Sequence, residues 1–277
     1  MTALDPAAAA LARLYDLDLA EDPGDLDLYL ALAARAGDPI VELAVGTGRV
    51  AVPLAVAGHR VTGIDLDPAM LARARAAALG AGSAAARRLR LVEGDLLDAQ
   101  LPGPAAAGLV ILALNSILLL ASRDLQRRAF GTIARLLRPG GLAIVDAWQP
   151  AAEDLVRFDG RLSLEWLRRD PDTGRDVAKL AAAWYDAASR IVTLTVLYDE
   201  AAPGEAPVRW TRSDPLRLVS ADELRGFAEE AGLEVEVVAG SYDLSPIGPG
   251  GDRAIVVARR PHRPRGSTGA RDTVSGR

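Results

Sequence analysis

The chain of 277 residues predicts an α/β fold: a doubly wound, seven-stranded sheet with an antiparallel β insertion after strand five. Three observations carry that reading. Short apolar, β-branched runs alternate with Ala- and Leu-rich helical stretches from Ile40 to Trp148, the pattern of parallel strands joined by crossover helices. From about Leu162 to Val219, apolar and polar residues alternate over short runs broken at Asp170-Pro171-Asp172-Thr173-Gly174 and Pro203-Gly204, which predicts antiparallel hairpins. A capped helix and two further strands then follow, at Ser220 to Gly232, at Glu234 onward and at Arg253 to Arg259.

The elements follow in order. Residues 7–36 predict two helices, AAAALARLYDL and DLDLYLALAARA, parted by the turn residues Glu21-Asp22-Pro23-Gly24. Ile40 to Val45 is the first strand, bounded by Pro39 and Gly46. Gly46-Thr47-Gly48 turns the chain into a helix over Val50 to Ala57, where Pro53 is tolerated because it falls in or near the first turn. Arg60 to Ile64 is the second strand, with Asp65 at its stop, and Asp65 or Asp67 caps a helix opened by Pro68. Arg90 to Val92 is the third. Leu109 to Leu114 is the fourth, after the Pro/Gly loop 102–108. A helix over Asp124 to Leu137 ends in Arg138-Pro139-Gly140-Gly141, a tight reversal into the fifth strand, LAIVDAW.

The stretch from Ile40 to Arg75 has the chemistry of a nucleotide cradle. Two glycines between strand and helix let the backbone approach a ligand without a Cβ in the way, beside unpaired helix N–H groups. Asp65, placed at the end of the neighbouring strand, can accept hydrogen bonds from ribose hydroxyls. The motif alone does not choose its ligand, because Gly46, Gly48 and Ala51 also satisfy the GxGxxG/A pattern of dinucleotide-binding enzymes. A plain βαβ connection, with Gly for the turn and Asp as a cap, uses the same residues.

Bulk properties narrow the classes. A net charge of −5 and a pI near 5.2 predict no nucleic-acid partner and favour a small-molecule or protein acceptor. There is no cysteine, hence no disulfide or thiolate metal site. The first residues lack a basic region followed by an apolar core, and the longest apolar run, Leu109 to Ala121, is too short to span a bilayer, so a soluble, cytoplasmic protein without membrane contact is expected. With only His59 and His262, neither a metal centre nor a catalytic histidine is expected.

VELAVGTGR resembles the first motif of class I S-adenosylmethionine-dependent methyltransferases, (D/E)xGxGxG, with Glu42 as the acidic residue and Ala44 in place of the first glycine, at a strand end where a methyl group is expected to fit. EGDLLD at 93–98 is similar to the family's third motif, and LLRPGG before the fifth strand is a further family feature with no counterpart in the dinucleotide fingerprint. The resemblance implies a Rossmann-like sheet and S-adenosylmethionine as cofactor. It places Glu42, Ala44, Gly46, Gly48, Arg49, Asp65 and Leu114 along the cofactor, Tyr15 at its methionine end, Leu66 and Met70 against adenine, and Asp95 and Leu96 on the adenine edge.

It further implies one domain over 1–260, with 7–36 as a helical cap and 160–219 as an inserted lid like that of small-molecule methyltransferases, including the sugar N-methyltransferases. The tail 261–277 is polar, Pro/Gly-rich and expected to lack order. Asn115, Trp148, Tyr185 and Tyr242 are the candidate acceptor neighbours. The rings Trp166, Trp184, Tyr185, Tyr198 and Trp210 have a second use, as the lid's own core or a homodimer face. The function implied is methyl transfer to N or O of a small molecule. No catalytic residue is assigned: an amine needs only to arrive neutral, whereas a hydroxyl needs a base, for which Asp146, Tyr242 and Asp243 are the candidates. An NAD(P)-dependent oxidoreductase and a non-catalytic S-adenosylmethionine-binding protein are the open alternatives.

Overall fold

A computed structural model describes residues 4–21, 23–101, 106–248 and 251–262. The tail from residue 263, Asp22 of the first turn, and part of the 102–108 loop lie outside the described residues. The chain runs α1 (Pro6–Asp18), α2 (Leu26–Ala36), β1 (Ile40–Leu43), α3 (Ala51–Val56), β2 (Val61–Asp65), α4 (Pro68–Gly80), α5 (Ser83–Arg88), β3 (Leu89–Glu93), β4 (Ala107–Leu112), α6 (Arg123–Leu136) and β5 (Leu137–Trp148). It continues through α7 (Ala152–Arg157), β6 (Ser163–Arg169), β7 (Asp176–Asp186), β8 (Ile191–Ala201), β9 (Val208–Arg217), α8 (Ala221–Glu230), β10 (Glu234–Ala239) and β11 (Arg253–Arg259). No helix among the described residues is long and apolar enough to cross a membrane.

Seven strands form one sheet in the order β10-β11-β5-β4-β1-β2-β3, parallel except where β11 pairs antiparallel with both β5 and β10. Strand order reverses between β1 and β4, the position at which such sheets collect ligands beyond their carboxyl ends. Alternation along the strands supplies both faces of the core. Val41, Leu43, Val110 and Leu112 join Phe130 and Ile133 of α6 and Phe227 of α8, while Ile40, Leu109 and Ile111 join Tyr29, Leu32 and Leu54 of α2 and α3 on the other side. Apolar burial on both faces fixes the strand register and therefore what emerges at the rim.

Three local expectations are corrected. β1 stops at Leu43 because Ala44 is in the left-handed region at φ 54°, so the departure from glycine there is a backbone matter and not only a question of space for a methyl group. Arg138 to Gly141 is no helix-to-strand reversal. It is an irregularity inside β5, which pairs with β4 at Leu137 and again from Leu142; a Cβ on Gly141 would meet the Ala107 carbonyl at 2.8 Å. α5 and α7 have no counterpart in the sequence reading, since α5 is a single short helix that opens directly after Gly82 and α7 buries no side chain and so carries no periodic stripe.

β6 to β9 form the separate four-stranded antiparallel sheet, in sequence order. α1 is the wedge between the two sheets. Leu14 and Leu17 pack on Val177 and Tyr198 of the small sheet, while Ala12 packs on Ala69 and Met70 of α4. Polar contacts lock that wedge: Lys179 Nζ donates to both oxygens of Asp18 (2.8 and 2.6 Å), Trp166 Nε1 to Asp18 Oδ1 (2.9 Å), and Arg13 pairs with Asp170 and, at 2.6 Å, with Glu200.

Candidate functional site

The carboxyl ends of β1, β2 and β3 are tied together through Asp65. The Gly46 N–H donates to Asp65 Oδ2 at 2.7 Å, the Asp67 N–H to Oδ1 at 2.9 Å, and the Gly94 N–H to the Asp65 carbonyl at 2.9 Å. Asp65 thus holds the glycine turn against β2 and β3, with lone pairs left on both carboxylate oxygens. Asp95 caps its own 3₁₀ turn through one oxygen, from the Leu97 N–H at 2.8 Å, which leaves the other oxygen for a ligand and puts Leu96 at the start of that turn. Gly46 and Gly48 both have positive φ, 55° and 85°. A Cβ on Gly48 would meet Val52 at 3.0 Å and Ala74 at 3.2 Å, so close packing of α3 and α4 requires glycine there, whereas over Gly46 the nearest atom is the Tyr15 ring at 3.9 Å.

Glu42, in the middle of β1, is 4% exposed, and its Oε2 has no hydrogen-bond partner among the described residues. Burial pushes its carboxyl up to about 8, against the pull of Arg49 and the Ala51 N–H. An orphaned carboxylate oxygen beside a glycine turn is a ready seat for a cation. Arg49 itself is held by a bidentate pair, 2.6 Å on each arm, with the buried Asp25 that precedes α2. Burial also pushes the Tyr15 phenol up to about 12, opposed by Arg49 and reinforced by Glu42, which sets the α1 ring beside the same cluster.

A second cluster forms where β4 and β5 end. Asp146 is fully buried and accepts from Tyr29 Oη (2.7 Å), the Leu114 N–H (2.8 Å), Tyr242 Oη (3.0 Å) and Arg253 Nη1 (3.0 Å). Burial pushes its carboxyl up and the four donors pull it down. Leu114 and Asn115 are consecutive left-handed residues, φ 47° and 67°, and Asn115 Oδ1 accepts the Trp148 N–H at 2.7 Å, stapling β4 to β5. With Ala44, three strained non-glycine positions border the rim.

Several sequence expectations change on this geometry. Asp146 is no free base, because four donors saturate it. Tyr242 spends its hydroxyl on Asp146 and stacks under Arg253, 4.9 Å from the ring centre, with its phenol pushed well up by burial. Asp243 is exposed and engaged in its own turn with Ser241 and the Ser245 N–H, which hold it down at about 2. Leu66 lies just past Asp65 with 70% of its surface exposed, and Met70 is buried against α1. Trp148 packs on Phe158 with ring centres 5.8 Å apart, and Tyr185 stays in β7, its N–H on the Phe158 carbonyl at 3.1 Å. Sequence reasoning missed Asp25, Tyr29 and Arg253. Their only sequence signals are a turn carboxylate, a ring on an amphipathic helix and a strand-end arginine, none of which carries a spacing rule.

The residues present fit an adenosyl sulfonium. They supply an unpaired buried carboxylate oxygen for an ammonium, open backbone over Gly46, carboxylates with spare acceptor capacity at the ends of β2 and β3, and apolar side chains at Leu66 and Met70. Comparison with known proteins agrees. Residues 40–141 match a family model described as a methyltransferase domain. An uncharacterized protein of Mycobacterium tuberculosis is 34% identical over 116 residues, 42% of this chain and 39% of the relative, so the chain aligns with about two fifths of that protein's length. The cypemycin N-terminal methyltransferase of a Streptomyces species is 27% identical over 81% of this chain and 84% of its own. Among solved structures, the CcbJ methyltransferase from Streptomyces caelestis superposes with a TM-score of 0.73 at 26% identity, covering 87% of this chain and 97% of that one.

Proposed function

We propose that the chain is a class I S-adenosylmethionine-dependent methyltransferase and that it moves the donor's methyl group to the nitrogen of a small-molecule amine. The donor supplies an activated methyl on a sulfonium whose leaving group is a neutral thioether. The chain's residues bind and orient. The free oxygen of Glu42 holds the ammonium, Asp65 accepts from the ribose hydroxyls on its remaining lone pairs, and the second oxygen of Asp95 accepts from the adenine amine. Leu66 and Met70 flank the adenine, and Tyr15 closes the site from α1. In this reading 1–260 act as one domain, with 7–36 as its cap and 160–219 as its lid.

The orphaned Glu42 oxygen beside the glycine turn carries the donor assignment. Nitrogen is favoured over oxygen because no candidate base is free: Asp146 is saturated, Tyr242 donates to it, and Asp243 faces solvent. His59 precedes β2 and bonds Asp38 before β1 at 2.9 Å, at the opposite ends of those strands from the rim. An amine that loses its proton to solvent before entry needs only alignment in a dry site. The N-terminal methylation named for the cypemycin enzyme fits this choice. The test is transfer of labelled methyl from S-adenosylmethionine to matched amine and alcohol acceptors. Labelled N-methyl products are expected, and turnover of alcohols alone would contradict the assignment.

A further inference from the structure

The inward face of the small sheet is covered at both ends and half-open in the middle. At one end Val177 and Tyr198 are buried under α1, and at the other Val192 is buried and its cross-strand partner Leu216 packs against the main core. Between them lies a half-buried band in which cross-strand pairing sets Ala181 beside Val196 and Arg212, and Ala183 beside Leu194 and Asp214. Small and branched apolar residues make up most of that band, and Arg212 with Asp214 is its charged part.

Arg212 differs from the cations around it. Lys179 satisfies both oxygens of Asp18, Arg13 is shared between Asp170 and Glu200, and Arg73 pairs with Asp16 and Asp172. Arg49 is bidentate on Asp25. Arg212 makes one hydrogen bond, from Nε to Asp214 Oδ2 at 2.5 Å, and both of its terminal nitrogens are without a partner among the described residues. Asp214 therefore anchors the guanidinium by its inner nitrogen and leaves the terminal fork open, the geometry that reads a carboxylate or phosphate through two parallel N–H bonds. The fork also lies near the rim: β9 packs against α1, Val196, the cross-strand neighbour of Arg212, shares an apolar cluster with Leu14, and the ring of the next residue, Tyr15, overlies Gly46.

We propose that Arg212, held by Asp214, is the specificity-determining residue of the acceptor site and binds an anionic oxygen group, a carboxylate or a phosphate, carried by the amine that is methylated. The apolar body of the acceptor lies against Ala181, Ala183, Leu194 and Val196. This inference rests on the methyl-transfer reading and assigns Arg212 to the acceptor and not to the donor.

The experiment compares the full chain with its Arg212→Gln variant on paired amines: carboxylate-bearing amines with their carboxamides, and phosphate-bearing amines with their phosphate-free alcohols. Wild type is expected to prefer the anionic member of one series by at least about tenfold in kcat/KM, and which series it is identifies the group. Arg212→Gln should erase that preference mainly through KM, leaving neutral acceptors and the calorimetric Kd for S-adenosylmethionine within about twofold. A preference for neutral members, or a loss of donor affinity equal to the loss of acceptor affinity, overturns the proposal. If no amine is methylated although the donor binds, the amine reading fails separately. The Arg212 claim is then decided by thermal shift of the S-adenosylhomocysteine-loaded protein: anionic amines must raise the Tm of wild type and not of Arg212→Gln, and a flat response overturns it.

Discussion

The Gly46 N–H donates to Asp65 Oδ2 at 2.7 Å across nineteen positions of sequence, so the carboxylate suited to ribose also holds the glycine turn in shape. Asp65→Ala should therefore remove two things at once. Donor affinity is expected to fall by about 1.5–3 kcal/mol, the range for hydrogen bonds to a charged group. The melting temperature should also drop, because the Gly46 N–H loses its partner. Calorimetry and thermal unfolding on the same variant check both, and a loss of affinity with no change in Tm would separate the two roles.

Glu42→Gln should change how stability depends on pH. With the carboxyl raised to about 8 from an ordinary 4.5, the folded donor-free protein keeps a proton that the unfolded chain releases. Folding stability from this group is therefore lost as pH rises from the ordinary value toward the raised one, by on the order of 3–5 kcal/mol in all. The variant should gain on wild type between pH 5 and pH 8.5 in urea unfolding, yet bind the donor more weakly because the ammonium loses its counter-charge. A constant gap across that window would contradict the assignment.

Ala44→Gly should stabilise the protein by about 1 kcal/mol, since an alanine held in the left-handed region costs roughly 1–2 kcal/mol and glycine recovers most of it. Chemical denaturation reads this directly. Equal or lower stability would mean the turn relaxes around alanine without strain.

Asp146→Ala should cost about 3–5 kcal/mol, the usual penalty for leaving a buried charge, here Arg253, without its partner. Tyr29, Tyr242 and the Leu114 N–H lose their acceptor as well. The structure predicts a stability defect and no isolated catalytic one. An Asp146 variant with wild-type Tm and a selective fall in kcat would restore this residue as a base.

The fold was legible because β1, β2 and β4 are short, mostly buried apolar runs punctuated by Gly, Pro or Asp, and because Ser220 and Glu223 form the capping box their spacing announces. The proposed donor side was legible for a related reason: Gly46, Gly48, Asp65 and Asp95 are local to strand ends, where spacing dictates position. The cluster proposed to border the acceptor was not. Tyr29, Asp146, Tyr242 and Arg253 converge from four separate elements, and only tertiary packing shows that Asp146 is saturated. Arg212 escaped notice for the same reason. As one of several arginines in an alternating strand, it is set apart only by what its neighbours leave unpaired.

The central claim is that the rim formed by Glu42, Gly46, Asp65 and Asp95 grips S-adenosylmethionine. Isothermal titration of the full chain with S-adenosylmethionine tests it most directly. Saturable one-to-one binding, competed by S-adenosylhomocysteine and weakened by Asp65→Ala, is the predicted result; no measurable uptake by correctly folded protein, or uptake indifferent to Asp65, would contradict it.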